Sequence, residues 1–263
     1  MSYECLEVAL SGDVAWLTLN RPDSLNALNP QLVTELRDFF SGLPERDDVR
    51  VVVLRGAGRA FCAGLDLKDF GDGDRSPEGA MRGQRRISEI VMMMRRCPQP
   101  IIACVQGAAA GGGFALALAS DVRLAGDSAR MNAAFIKLGL SACDIGVSYF
   151  LPRIVGASVA YELMLTGRFI QADRALATGL VSAVVPDEQL EAEARQLAQE
   201  MIDTSPLGLR LTKECLNASL DAPNLESAVA MEDRNQVICS TSKYLGEGVR
   251  AFLEKRQPDW SRV

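Results

Sequence analysis

Two glycine-bearing turns are the parts of this sequence best suited to chemistry. Gly111-Gly112-Gly113 lies between a strand-like run, Ile101 to Val105, and a stretch of small and apolar residues, Phe114 to Ala119, that reads as a helix. A helix start leaves backbone N–H groups without intrahelical partners, and together with the helix dipole they are suited to hold negative charge. The cluster is neither G-x-G-x-x-G nor a phosphate loop, because no Gly-Lys-Ser/Thr follows it. The bland alternative is that three glycines only permit tight strand–helix packing. The second turn, Phe61-Cys62-Ala63-Gly64-Leu65-Asp66-Leu67-Lys68, follows another strand and could supply one more exposed amide. Its alternative is a plain β–α loop with Asp66 as an N-cap and Lys68 in solvent. The chain has no histidine, which removes Ser-His, Cys-His and imidazole–metal schemes together.

The elements that must position these turns follow from patterning. Val14 to Leu19 is β-rich and closed by Asn20-Arg21-Pro22. Asn29-Pro30 reads as an N-cap with Pro at the first helical position, and Leu32, Leu36, Phe39, Phe40 and Leu43 follow at helical spacing up to Pro44. Val49 to Leu54 is a nearly all-apolar strand, as in a sheet covered on both faces. Gly71 to Gly79 reads as a surface loop and Ala80 to Arg96 as a helix, with Met92-Met93-Met94 lining a core. Further strand-like pieces fall at Val122–Ala125 and Leu180–Val185, and from Asp187 onward the pattern is only helical. Strands alternating with helices predict an α/β body with crossover units.

With 263 residues the chain can bury a full core, and one large domain with a helical appendage is expected. Its 28 Lys+Arg against 34 Asp+Glu give a net charge of −6, a poor match for phosphate backbones, so nucleic acid is not an expected partner. Seven scattered cysteines with no C-x-x-C pair predict reduced thiols, neither a disulfide framework nor a metal site. Cys97 to Ser120 carries no charge over 24 residues, but its interior is too rich in glycine and alanine for a membrane span, and a buried strand followed by a buried helix fits better. No signal peptide is visible at the N-terminus, so a cytoplasmic location without membrane attachment is expected.

Taken in order, several segments resemble one family. They are Asn20-Arg-Pro-Asp-Ser-Leu-Asn-Ala-Leu28, Phe61 to Lys68, Gly111 to Gly113 ahead of a small-residue helix and Asp121, Leu165-Thr-Gly-Arg168, Ala175 to Val181, and Phe252 to Arg256. The set covers essentially the whole chain and is similar to the crotonase superfamily, the enoyl-CoA hydratase/isomerase family. That resemblance implies a spiral of ββα units over residues 1–195 and a C-terminal helical region over 196–263 that packs into trimers, often as a dimer of trimers. It implies a coenzyme A thioester as substrate and no separate cofactor. The backbone N–H groups of Leu65 and Gly112 would form an oxyanion hole for the enolate of the thioester, which agrees with the reading of the two turns. Ala63 and Asp66 would belong to the same substrate-binding segment. Lys68, Phe252 and Lys255 would lie near the coenzyme's phosphates or adenine, with a neighbouring subunit as a source of the last two; for the two lysines a solvated helix face is the alternative.

The sequence departs from the family where hydratases carry two glutamates. The first position matches Ala115, and the second, in a Pro-Glu-Ile-x-Leu-Gly pattern, matches Phe135. Neither a methyl nor a phenyl group carries a proton, so water addition by a two-glutamate mechanism is not expected. Asp144 matches an aspartate that other branches use to move protons or as a nucleophile, and the branch that pairs such a nucleophile with a histidine is disfavoured here. The resemblance therefore points to an enoyl-CoA double-bond isomerase with Asp144 as its single acid/base. Such a role asks for an apolar pocket, which Phe135 and Phe150 could help to form. The alternative for Asp144 is a residue capping a turn beside Gly146. Cys143, with nothing basic beside it, reads as structural, and Asp66, Asp69, Asp72 and Asp74 read as solvated rather than catalytic. The competing functions are an enoyl-CoA hydratase or lyase with an atypical carboxylate, and an inactive binder of CoA thioesters.

Overall fold

The computed structural model describes residues 3–68 and 76–263. Its main sheet has six strands: β1 (Leu6–Ser11), β2 (Val14–Leu19), β3 (Val51–Gly56), β4 (Ile101–Val105), β6 (Val122–Gly126) and β9 (Ala183–Val185), in the order β1-β2-β3-β4-β6-β9. Only the β1–β2 hairpin is antiparallel; the remaining neighbours run parallel. β1 is an element that the sequence reading missed. Its outer positions alternate with Glu7 and Ser11 on an edge, so it lacks the apolar run that marks β2, β3 and β4.

A second sheet of short strands, β5 (Ala108–Ala110), β7 (Arg130–Asn132) and β8 (Ile170–Gln171), stands beside the first. Single bridges continue it, Cys62 pairing with Ala109 and Leu28 with Leu65. Each turn of the chain therefore gives one long strand to the large sheet, one short segment to the small one, and then a helix. That repetition is the expected ββα spiral. A three-residue strand of alanine, Ala108–Ala110, falls below what periodicity resolves.

Helices α1 (Pro30–Gly42), α2 (Pro77–Arg96) and α3 (Gly112–Ala119) fill the crossovers. Asn29 caps α1 as expected, accepting from the Leu32 amide at 2.9 Å, with Pro30 at the first position. α2 begins at Pro77, capped by Ser76, so the second half of the expected loop over 71–79 is already helical; residues 71–75 lie outside the described residues. Of the Met92-Met93-Met94 run on α2, Met94 is fully buried and Met93 packs against the core, while Met92 is exposed. Every residue of α3 is buried, which is why the sequence there is uniformly apolar and uncharged. β3 sits two residues later than expected, and Leu180 and Val181 lie in a turn before β9.

The chain continues through α4 (Val147–Val155), α5 (Ala157–Thr166) and α6 (Ala172–Ala177), and after β9 through α7 (Leu190–Ile202), α8 (Pro206–Ser219), α9 (Leu225–Ser240) and α10 (Lys243–Glu254). α7 closes the second face of the large sheet, packing Leu190, Ala194 and Ala198 on Val51, Val53, Ile102 and Leu124. No helix of the described residues is long and apolar enough to cross a membrane.

Candidate active site

The two glycine turns meet where the small sheet begins. Cys62 donates to the Ala108 carbonyl and accepts from the Ala110 amide, both at 3.0 Å, which stitches the second turn to the glycine turn. On its other side Leu28 donates to Gly64 O at 2.7 Å and accepts from the Asp66 amide at 3.0 Å. Gly64 must be glycine: its φ is +98°, and a Cβ there would lie 2.7 Å from Ala110 O and 3.6 Å from Gly112 N. The same number measures how closely the turn before Leu65 approaches the start of α3.

Most amides of this junction are spent. Ala63 donates to Leu25 O at 2.9 Å and Gly111 to Asn132 O at 3.0 Å. Among the described residues, neither the Leu65 nor the Gly112 amide has a hydrogen-bond partner. Gly112 is the first residue of α3, so its N–H is one that the helix leaves unpaired. The far end of α3 is fixed by Arg123, whose guanidinium donates to Ser120 O at 2.6 Å and Leu180 O at 2.8 Å. Burial lowers the Arg123 pKa to about 10, still cationic and well placed at a helix C-terminus.

The first turn of the chain supports this junction from behind. Asn26 is fully buried with φ +56°, and its side chain accepts from the Arg21 amide and donates to Ala57 O and Ala60 O. Arg21 pairs with Asp66 at 2.9 Å and donates to Ala27 O. Asp66 is thus a buried partner of an arginine, not the solvated acid that was expected, and it also accepts from the Lys68 amide at 3.2 Å. Asp69, Asp72 and Asp74 lie outside the described residues. Neither Arg21 nor Asn26 was singled out from the sequence, although both stand in its Asn20–Leu28 motif.

Around the two free amides the walls are apolar. A Cβ placed on Gly112 would reach Leu28 Cδ1 at 2.7 Å and Ile145 Cδ1 at 3.7 Å, and one on Gly111 would reach the Phe135 ring at 3.4 Å. Ala115, on the next residues of α3, is fully buried. The two positions where hydratases carry glutamates are here a methyl inside the core and a ring against the glycine turn. A cavity of about 330 Å³ opens beside Leu65, lined by Leu28, Pro30, Val33 and Ile87 and, on its polar side, by Thr34, Asp66 and Arg86. A wider cleft, about 910 Å³, lies elsewhere, at the ends of the large sheet's strands. It is lined by Arg55, Arg130, Asp187 and Glu191, and neither free amide nor Asp144 borders it.

Asp144 is half-buried on the turn that enters α4, and its carbonyl accepts from Val147 N at 2.9 Å. Its Oδ1 accepts from Ile145 N at 2.8 Å and from Gln84 Nε2 at 2.5 Å. Gln84, on α2, was not foreseen; nothing in its local sequence marks it. Ile145, which follows Asp144, is the residue that reaches the surroundings of Gly112. Phe135 takes its expected place beside the glycine turn. Phe150 instead packs on Gly146 and under the Arg95 guanidinium, 5.7 Å from its ring centre, facing a separate cavity of about 550 Å³.

The remaining expected contacts are dispersed. Lys68 is exposed at the end of the second turn, as are Phe252 and Lys255 at the end of α10. No hydrogen bond among the described residues joins α10 to the two turns. Burial pushes the thiols of Cys62 and Cys104 up to about 12, while Cys143 is exposed beside Asp144.

Fold and site together define an α/β spiral in which the Leu65 amide and the Gly112 amide at the start of α3 have no partner among the described residues, with Asp144 next in sequence to Ile145, which reaches Gly112. The family model for enoyl-CoA hydratase/isomerase matches residues 10–262, and the chain belongs to that family. It is 40% identical over 252 residues to a protein of Mycobacterium tuberculosis H37Rv named probable enoyl-CoA hydratase EchA12, covering 94% of this chain and 88% of that one. It is 37% identical over 250 residues to the 1,2-epoxyphenylacetyl-CoA isomerase of Escherichia coli K12, covering 94% and 95%. A crystal structure of a putative enoyl-CoA hydratase from Streptomyces coelicolor A3(2) superposes with a TM-score of 0.93 at 37% identity, covering 98% of this chain and 94% of that one. A probable enoyl-CoA hydratase/isomerase from Mycobacterium abscessus gives 0.90 at 37% identity, covering 97% and 98%.

Proposed function

We propose that this chain moves a double bond within an enoyl-CoA thioester. The Leu65 and Gly112 amides hold the thioester oxygen as it becomes an enolate, and Asp144 carries the proton. Starting from a 3-enoyl thioester, the Asp144 carboxylate takes a proton from C2. The electron pair delocalises through C3 and C4 and onto the thioester oxygen, and the proton returns at C4 to leave the 2-enoyl product. Atoms balance without water, oxidant or cofactor. Two preorganised donors act most strongly in a dry, apolar setting, and losing one of them typically costs roughly 3–4 kcal/mol. Lys68 contributes to coenzyme binding in this reading, with Phe252 and Lys255 brought by a neighbouring copy of the chain in a trimer.

The observation that carries the proposal is the replacement of both glutamate positions by buried apolar groups, Ala115 and Phe135, in a site that keeps Asp144. One carboxylate suffices for a proton shuttle between two carbons, whereas addition of water to a double bond needs its proton inventory managed at two points. The relatives' names include a probable enoyl-CoA hydratase and a 1,2-epoxyphenylacetyl-CoA isomerase, so hydration and isomerisation of CoA thioesters both occur among them by name.

Short 2-enoyl- and 3-enoyl-CoA thioesters incubated in heavy water test this directly by mass spectrometry and proton NMR. Deuterium is expected to enter the acyl carbons without net hydration, and Asp144→Asn is expected to slow that entry at least a hundredfold, the usual scale for a general acid/base. Hydration in place of isomerisation would overturn the reaction assignment. Undiminished exchange in Asp144→Asn would overturn the assignment of the base.

A further inference from the structure

We infer that Gln84 is a positioning residue for Asp144, selecting Oδ2 as the oxygen that carries the proton. The inference rests on the reading of Asp144 as the acid/base.

Both hydrogen bonds that the Asp144 carboxylate accepts fall on one oxygen: Gln84 Nε2 at 2.5 Å and the Ile145 amide at 2.8 Å, each to Oδ1. Among the described residues Oδ2 has no donor. An ionised carboxylate only accepts hydrogen bonds, so the group facing it from Gln84 is the NH₂ end of the side-chain amide. That donor is neutral. It fixes the carboxylate's rotation without adding a counter-charge that would quench its basicity.

The two donors come from independent elements. One belongs to the turn that bears Asp144 itself, and that turn is strained. Ile145 is β-branched yet sits at φ +47°, and Gly146 follows at φ +84°. Such a turn does not by itself lock the side chain preceding it. The second donor stands on α2, a 20-residue helix capped by Ser76 and packed on the core through Ile90, Val91 and Met94. Ser88 Oγ donates to the Gln84 carbonyl at 2.7 Å one turn further along. The carboxylate is therefore referenced to the body of the protein across a sequence gap of 60 residues. The same helix lends Gly83 and Ile87 to the cavity beside Leu65.

Gln84 is exposed, and a surface hydrogen bond of purely structural value would leave turnover alone. The test uses the full-length protein with Gln84→Met, similar in size but without a donor, and Gln84→Asn, whose donor is a methylene too short. Asp144→Asn and the double variant with Gln84→Met complete the set. kcat and KM are read separately from deuterium entry into a 3-enoyl-CoA, and melting temperatures are recorded alongside.

Both Gln84 variants are expected to lose about tenfold in kcat, the scale of one charge-assisted hydrogen bond, with KM changed less than about twofold. In the Asp144→Asn background Gln84→Met is expected to add nothing. Unchanged kcat in both Gln84 variants, with Asp144→Asn inactive, overturns the inference while leaving the role of Asp144 standing. A raised KM at unchanged kcat also overturns it, by making Gln84 a substrate contact. Full activity in Asp144→Asn removes the underlying reading instead. Should Gln84→Met melt early, Gln84→Asn carries the same comparison.

Discussion

The chemistry available to single residues here is set more by what surrounds them than by what they are. Leu65 has no reactive side chain, yet among the described residues its amide has no hydrogen-bond partner, while those of Cys62, Ala63 and Asp66 on the same turn do. Cys62, close to that amide in sequence, is a potential nucleophile by type. Burial removes it from consideration, pushing its thiol up to about 12. Gly64 is the residue on which the geometry turns. With φ at +98° and the Ala110 carbonyl 2.7 Å from where a Cβ would stand, Gly64→Ala meets both a backbone penalty and a collision with main chain that cannot rotate away. The expected outcome is a loss of about 2 kcal/mol in urea denaturation. Turnover should fall at least tenfold, because relief of the clash moves the second turn away from Gly112. A variant of wild-type stability and rate would show that the two turns do not need this closeness.

At the scale of elements, what could be read in advance was what announces itself by period or by punctuation. β2 and β4 fall where their apolar runs lie, and α1 starts at its Asn-Pro signal. α3 was expected from the uncharged stretch, although two residues late, since Gly112 and Gly113 count against helix in propensity and are needed there for clearance from Leu28 and Cys62. The small sheet was hidden because its strands have two or three residues each and are held by pairing across turns of the spiral, which local sequence does not encode. Of the site, the two turns were legible from glycines and strand ends, whereas the choice of the Leu65 and Gly112 amides came from the family resemblance. Gln84 and the Arg21–Asp66 pair were not legible, since each depends on a contact between segments tens of residues apart. α8 shows the same dependence on distant partners. Lys213 is buried, its ammonium within 2.8 Å of Asp121 Oδ2 and donating to Gln99 O at 2.8 Å and Met94 O at 3.0 Å. Lys213→Met would leave those carbonyls without this donor, while Asp121 keeps Arg95 and the Ile101 amide. A destabilisation of about 3 kcal/mol is expected, at the lower end for breaking a buried pair, with early hydrogen exchange in α8. Exchange in α8 no faster than in the wild type would mean that the ion pair does not anchor it.

For the whole molecule the exposed apolar side chains are the feature that one chain leaves unexplained. Phe252 is 83% exposed, Leu225 and Leu253 74%, Leu165 71% and Val237 62%, concentrated on the helices from α5 and on α8 to α10. Scattered single exposures are ordinary, but large apolar residues exposed along several helices are what the trimer proposed above would cover. The same surface carries Phe252 and Lys255, the two residues proposed to reach the coenzyme from outside their own chain. Covering the helical face and completing the substrate site would then be one event. Light scattering at working concentration is expected to give about 85 kDa, three times the 28.4 kDa of the chain, or a multiple of it. Phe252→Asp puts a charge where that face would be buried, and should lower the mass toward 28.4 kDa and raise KM for the thioester together. A monomer that binds and turns over as tightly as the assembled form would separate the two effects and return Phe252 and Lys255 to solvent.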